Sequence, residues 1–140
     1  LYGHELDRAT TPLEAGLGAF VKFGRDFIGG PALLASREQG LRKRLIGVAT
    51  ADSRSIARQG YRVFDGNDEA GVITSGTLAP TLARPIAMAY LNAPHRPTDS
   101  LAVEIRGQRA PLTTMTLPFY RRGQTAAANR SASALLQKEP

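Results

Sequence analysis

From Leu41 onward the apolar residues recur at the period of a β-strand, with no helical stretch between them. The clearest case is residues 101–106, where Leu101, Val103 and Ile105 alternate with Ala102, Glu104 and Arg106. That alternation describes a strand with one buried and one solvated face. Six strands are predicted, at 43–51, 61–65, 69–75, 85–91, 100–106 and 109–117. Asp65-Gly66-Asn67-Asp68 and Arg106-Gly107-Gln108 read as hairpin turns between neighbouring strands. Short strands with turn signals roughly every 8 to 12 residues and no intervening helix leave an all-β barrel or sandwich.

Residues 69–90 organise this pattern. Two apolar runs, 71–74 and 86–90, have strand length and composition. The connector between them is rich in Thr, Ser, Gly and Pro and is punctuated at Ser75-Gly76, Pro80 and Pro85. A Gly after a strand permits φ > 0, and Pro fixes φ and removes a donor, so the loop is expected to be shaped rather than floppy. This spacing gives architecture and no reaction.

Residues 1–24 read differently. Thr10-Thr11-Pro12-Leu13-Glu14 has helix-cap chemistry, but Gly16 and Gly18 limit any helix to one turn. Residues 19–23 alternate like a strand, which by itself is unstable and needs a partner. Pro31 just inside a start and Gly40 just past an end predict a helix of about nine residues between them. Phe27 and Ile28 are placed to staple it, with Leu33 and Leu34 as its apolar side. After Tyr120 the pattern stops, and residues 123–140, rich in Ala, Ser, Asn and Gln, are expected to be a disordered tail.

The chain has 140 residues, enough for one domain plus fragments. It holds no apolar run near the roughly 20 residues a membrane-spanning helix needs, and no signal peptide opens it. With no Cys there is no disulfide framework and no thiolate, which suits a reducing cytoplasm. The formal charge of +6 invites a nucleic-acid reading, but half of it comes from the end, where Arg121, Arg122, Arg130 and Lys138 face only Glu139. Elsewhere acids and bases interleave, apart from Arg42-Lys43-Arg44, which ordinary strand-edge protection explains. Aromatic content is 6% and Trp is absent, so no stacking platform is expected.

Few residues carry a chemical signal. His4 and His95 lie far apart and outside any ligand spacing, so no metal site is expected. Ser75 lacks the Gly-x-Ser-x-Gly setting of a nucleophile, and no phosphate-binding loop is present. Asp7 and Glu14 read as capping or ion-pairing acids. Arg58 and Arg121-Arg122 are better placed for function, because a guanidinium fork binds carboxylates, though each also reads as a surface arginine.

Gly71-x-x-Thr74-Ser75-Gly76-x-x-x-Pro80-Thr81-Leu82, followed by Pro85-Ile86-Ala87-Met88-Ala89-Tyr90, resembles the C-terminal barrel of the glycine cleavage system T-proteins, the aminomethyltransferases. Leu1-Tyr2-Gly3 with Asp7 and Thr11-Pro12-x-Glu14, and the closing Leu117-Pro118-Phe119-Tyr120-Arg121, agree with that family in its order. The resemblance spans roughly residues 1–121. It implies a mainly β fold, a barrel of about six antiparallel strands preceded by a short α/β stub. Residues 1–24 would be the remnant of the preceding domain, 25–40 a helical linker, 41–122 the barrel and 123–140 the tail. Because the chain opens at Leu1, inside a family motif, it is expected to be a piece of a longer protein.

The implied activity is transfer of a methylene carbon from the aminomethyl-lipoyl arm of H-protein to tetrahydrofolate, with release of ammonia. Implied partners are lipoylated H-protein, tetrahydrofolate and the upstream half of the same polypeptide, with no nucleic acid and no membrane. Tyr2, Thr74, Ser75, Tyr120 and Arg121 match family positions and, with Arg58, are the candidate cofactor-binding residues. The family's charge-managing aspartate lies upstream of Leu-Tyr-Gly, so no catalytic residue carries over and this chain alone is expected to be inactive. Arg62 stands where the family often has Pro, and an Ala-rich segment replaces the family's basic end, leaving that folate contact without a counterpart. Other folate-dependent members of the superfamily, a demethylase or methylglycine-oxidase tail, are the alternatives, as is a non-catalytic β-barrel binding module. The related iron–sulfur assembly proteins carry a Cys motif that this chain lacks.

Overall fold

The alternation at 101–106 resolves into a strand, Leu101–Ile105, whose Leu101 and Val103 are almost wholly buried while Glu104 faces outward. In the computed structural model, which describes residues 2–121, it is the fifth of six strands: β1 Lys43–Thr50, β2 Arg62–Asp65, β3 Asp68–Ala79, β4 Arg84–Asn92, β5 Leu101–Ile105 and β6 Gln108–Met115. All neighbours are antiparallel, and the sheet closes as a barrel in the order β1-β4-β3-β2-β5-β6, with β6 returning to β1. Inward side chains at every second position fill it: Ile46 and Val48, Val63, Ile73, Ala87, Ala89 and Leu91, Val103 and Leu112. The two predicted hairpin turns are present, and Arg106 and Gly107 both take positive φ, as a two-residue turn between twisted strands requires.

Three expectations about the strands fail, each for a physical reason. The connector predicted after Ser75 is instead strand: β3 runs on to Ala79, pairs with β4 down to Arg84, and turns through a 3-10 segment at Pro80–Leu82. Gly76 is there for closeness rather than for a positive φ. A Cβ on it would overlap the Ala57 carbonyl oxygen, because the segment before β2 runs alongside β3, with Gly60 and Tyr61 bonded to Ile73. β6 reaches β1 only at Gly47–Thr50, and the remaining side of β1 is met by residues 9–14, with the Leu45 N–H donating to the Glu14 carbonyl, so Arg42 and Lys43 hold that segment rather than shield a bare edge. Residues 19–23 form no strand; Gly18–Phe20 is a 3-10 turn with Phe20 81% exposed. Five alternating residues with no strand to pair with do not hold a strand.

The predicted helix is α1, Gly30–Gln39. None of its residues is buried, and Ile28, assigned to staple it, is fully exposed. No helix among the described residues is long and apolar enough to cross a membrane. The tail expected at 123–140 lies outside the described residues.

Candidate functional site

β3 and β4 pair in register as far as Ile73, then slip by one residue so that Ser75 faces Met88. Thr74 is the extra residue of this bulge, a device that re-aims a side chain. Its hydroxyl lies 2.8 Å from Glu5 Oε1 and 3.1 Å from the Met88 carbonyl, and its single proton serves one acceptor at a time. The Thr74 carbonyl accepts from His4 Nδ1 at 3.2 Å. Next to it, Tyr90 points outward from β4, since Ala87, Ala89 and Leu91 take the inward positions. Its hydroxyl donates to the Glu5 carbonyl at 2.7 Å. Residues 4 and 5 are thereby tied to the outer face of β3 and β4.

A second attachment lies at Glu14, whose side chain is wholly buried. Its Oε2 accepts from the Thr11 backbone N–H (2.8 Å) and the Thr11 hydroxyl (3.0 Å), while Thr11 Oγ1 accepts from the Glu14 N–H at 3.2 Å. This is a reciprocal capping box closing a hydrogen-bonded turn, in line with the cap chemistry read at Thr11-Pro12-x-Glu14. Glu14 Oε1 accepts from Arg42 Nε at 3.2 Å, and the Glu14 carbonyl accepts from the Leu45 N–H at 3.0 Å. Lys43 donates to Thr10 Oγ1 at 2.8 Å, and its ammonium stands 4.4 Å from the centre of the Tyr90 ring. The Arg42-Lys43 pair therefore clamps residues 9–14 onto the barrel.

The electrostatics follow from this packing. Burial, and then the negative charges of Glu14, Asp7 and Glu5, push the Tyr90 phenol up to about 12, so it stays a donor. Burial raises the Glu5 carboxyl, while hydrogen bonds from Ser75 and Thr74 lower it. Glu14 behaves alike: burial raises it, and the Thr11 and Arg42 bonds win. Carboxylates held ionised this firmly accept hydrogen bonds and orient groups; they do not exchange protons near neutral pH. Tyr90→Phe is expected to leave the Glu5 carbonyl unsatisfied and cost about 1–2 kcal/mol. An unchanged urea midpoint would show that this bond adds nothing.

Of the residues singled out by sequence, Thr74 and Ser75 lie beside His4 and Glu5, which bond to them. Tyr2 is largely exposed and bridges to Leu6. Leu117 and Phe119 lie over Gly47, whose pairing partner Met88 also pairs with Ser75, and the next two residues, Tyr120 and Arg121, are both exposed. Arg58 sits apart, at the outer edge of β3, where Nη1 donates to the Gly76 carbonyl at 3.0 Å and the side chain is open to solvent. The sequence reading missed Glu5, Lys43 and Tyr90. Only Tyr90 had a local signal, an outward strand position occupied by a large residue.

Residues 43–121 match the family described as the glycine cleavage T-protein C-terminal barrel domain. An aminomethyltransferase of Pseudothermotoga lettingae is 47% identical over 121 residues, covering 86% of this chain and 33% of that protein. One from Synechococcus elongatus is 46% identical over 127 residues, covering 89% of this chain and 34% of the relative. Among solved structures, the crystal structure of glycine cleavage system aminomethyltransferase T from Bartonella henselae superposes with a TM-score of 0.77 at 28% identity, over 86% of this chain and 35% of that one. The chain spans about a third of the length of the curated relatives it matches.

Proposed function

This chain belongs to the glycine cleavage T-protein family, whose C-terminal barrel domain it carries, and we propose that it works as the C-terminal part of a tetrahydrofolate-dependent aminomethyltransferase. The reaction would move the methylene carbon of an aminomethyl group on the lipoyl arm of H-protein to tetrahydrofolate and release ammonia, in the cytoplasm. Supporting this most directly is the family match over residues 43–121, a span that takes in Thr74, Ser75, Tyr120 and Arg121. In the same reading, residues 41–122 are the barrel, 25–40 link it to the domain that ends at residue 24, and 123–140 are a tail.

The donor set fits folate in part. Two exposed phenol rings, Tyr2 and Tyr120, offer flat surfaces for a pterin, and the guanidinium groups of Arg58 and Arg121 suit a glutamyl carboxylate. Thr74 is already engaged by Glu5 and Met88, so its role is to hold Glu5 and Ser75 in place rather than to grip the ligand. When bound, tetrahydrofolate supplies the amine that accepts the one-carbon unit. The part of this chain's residues would be to help orient it, which is most of what such a transfer needs from a protein.

With only a third of the relatives' length, the chain by itself is expected to be inactive. Purified chain, aminomethylated H-protein and tetrahydrofolate should give methylene-tetrahydrofolate at the background rate. Adding the upstream two-thirds of the Pseudothermotoga lettingae relative as a separate polypeptide should raise it. Turnover by the chain alone would overturn the reading, as would silence from a complex shown to have formed.

A further inference from the structure

Strands β4 and β5 follow one another in the chain but are not neighbours in the barrel, where β3 and β2 lie between them. The connection, residues 93–100, is fastened to the end of β2 at Asp65. Thr98 Oγ1 donates to Asp65 Oδ1 at 2.9 Å, and the Ser100 hydroxyl donates to the same oxygen. His95 Nδ1 stands 3.7 Å from Asp65 Oδ2. The Gly66 N–H makes a long bond, 3.5 Å, to the Ser100 carbonyl, and Arg109 donates to the Gly66 carbonyl. Ser100 thereby holds two groups that could react with each other, the Asp65 carboxylate and the peptide nitrogen of Gly66. Its bond to Asp65 above all, with those of Thr98 and His95, outweighs burial and keeps the carboxyl below its ordinary range.

Asp65-Gly66 is the one Asp-Gly pair in the sequence, and Asn-Gly does not occur. Such a pair is prone to react with itself, because glycine has no Cβ to keep its nitrogen away from the preceding carboxyl. We propose that Asp65 is a site of spontaneous isomerisation to isoaspartate, held in check by the Thr98 and Ser100 hydroxyls. In that reaction the Gly66 nitrogen attacks Asp65 Cγ. The N–Cγ bond forms, a Cγ–O bond breaks, and the carboxyl hydroxyl leaves as water with the amide proton. Water then adds to either carbonyl of the succinimide, returning aspartate or giving isoaspartate, with no co-reactant and no net change in mass. Two features oppose the first step. An ionised carboxylate is a poor electrophile, and turning Cγ onto the Gly66 nitrogen gives up the bonds from Thr98 and Ser100. The turn itself is exposed, so water reaches it once those bonds open. Isoaspartate routes the main chain through Cβ and adds one atom to a hairpin in which Asp65 pairs with Asp68 and Leu101. Its carboxylate sits on a shorter stem, so the same event releases residues 93–100 from β2.

The test incubates the whole chain at physiological temperature and neutral pH. Isoaspartate at residue 65 is followed by fragmentation mass spectrometry of the peptide that holds it, and by methyl transfer from an isoaspartate-specific carboxyl methyltransferase. A synthetic peptide of residues 61–72 is the reference without the two hydroxyls. The parent should isomerise at least about tenfold more slowly than this peptide, since reaction first needs the charged hydrogen bonds to open locally. Thr98→Val/Ser100→Ala should close most of that gap, and residues 93–100 should exchange their amide hydrogens faster. Tyr90→Phe weakens the barrel elsewhere and should isomerise at the parent's rate, which separates local opening from global unfolding. Asp65→Glu should give no such product, because the longer side chain disfavours the ring. Should the double variant fail to fold, Ser100→Ala alone must fall between parent and peptide. A parent as fast as the peptide overturns the proposal, as does a folded hydroxyl variant as slow as the parent. Acceleration by Tyr90→Phe to the same extent overturns it too.

Discussion

Gly71→Ala is expected to cost on the order of 3–5 kcal/mol, the upper end for a single substitution, and to lower the melting temperature by at least about 10 °C. Gly71 pairs with Val63 on one side and Leu91 on the other, beside the irregularity between Val63 and Phe64. A Cβ there would overlap the Tyr90 carbonyl oxygen and stand 2.9 Å from its carbon and 3.1 Å from Leu91 Cα. All three are backbone atoms, so no rotamer change relieves the clash. The roughly 0.5–1 kcal/mol that Ala normally gains over Gly in a strand is far too small to compensate. Gly47 provides the contrast. Its nearest neighbour is the Phe119 ring, at 2.8 Å, which can swing aside, although the Met115 carbonyl at 2.9 Å cannot. Gly47→Ala should therefore be the milder change of the two. Calorimetric melting that puts Gly71→Ala within a few degrees of the parent would show that β3 and β4 can part without loss.

Six strands were legible because each needs only a period of two and a turn at its ends. Leu101 and Val103 show the limit of what alternation alone can place correctly. Gly76 shows why the rest was hidden: Ser-Gly looks like punctuation locally, and only the approach of Ala57 from the preceding loop explains why no side chain fits. The basic run at 42–44 was misread for the same reason. Edge protection is the right inference for a bare edge, but here the part of β1 that β6 does not reach is covered by residues 9–14, some thirty positions away in sequence. At the candidate site, Thr74 and Ser75 were readable through a family motif. The link from Tyr90 to Glu5 joins residues 85 positions apart, and no local pattern encodes it.

Glu14→Gln should remove about 2 kcal/mol at neutral pH, through a weakened capping box and a lost charge-assisted bond. Most of this should come from the two Thr11 donors. The Arg42 side chain is 74% exposed, so water screens its attraction, and Arg42→Met is expected to cost well under half as much. The pH dependence identifies the carboxylate itself. Burial raises Glu14, but the Thr11 and Arg42 bonds leave it below the ordinary 4.5. A group depressed in the native state contributes stability above its unfolded value and loses it as pH falls through the native one. The parent and Glu14→Gln should therefore differ fully above about pH 5 and converge under more acid conditions, since the amide has no proton to take up. Urea unfolding of both proteins across that range measures the gap. A gap that stays constant down to the acid limit would mean that Glu14 is held by packing alone and that its charge does not fasten residues 9–14 to the barrel.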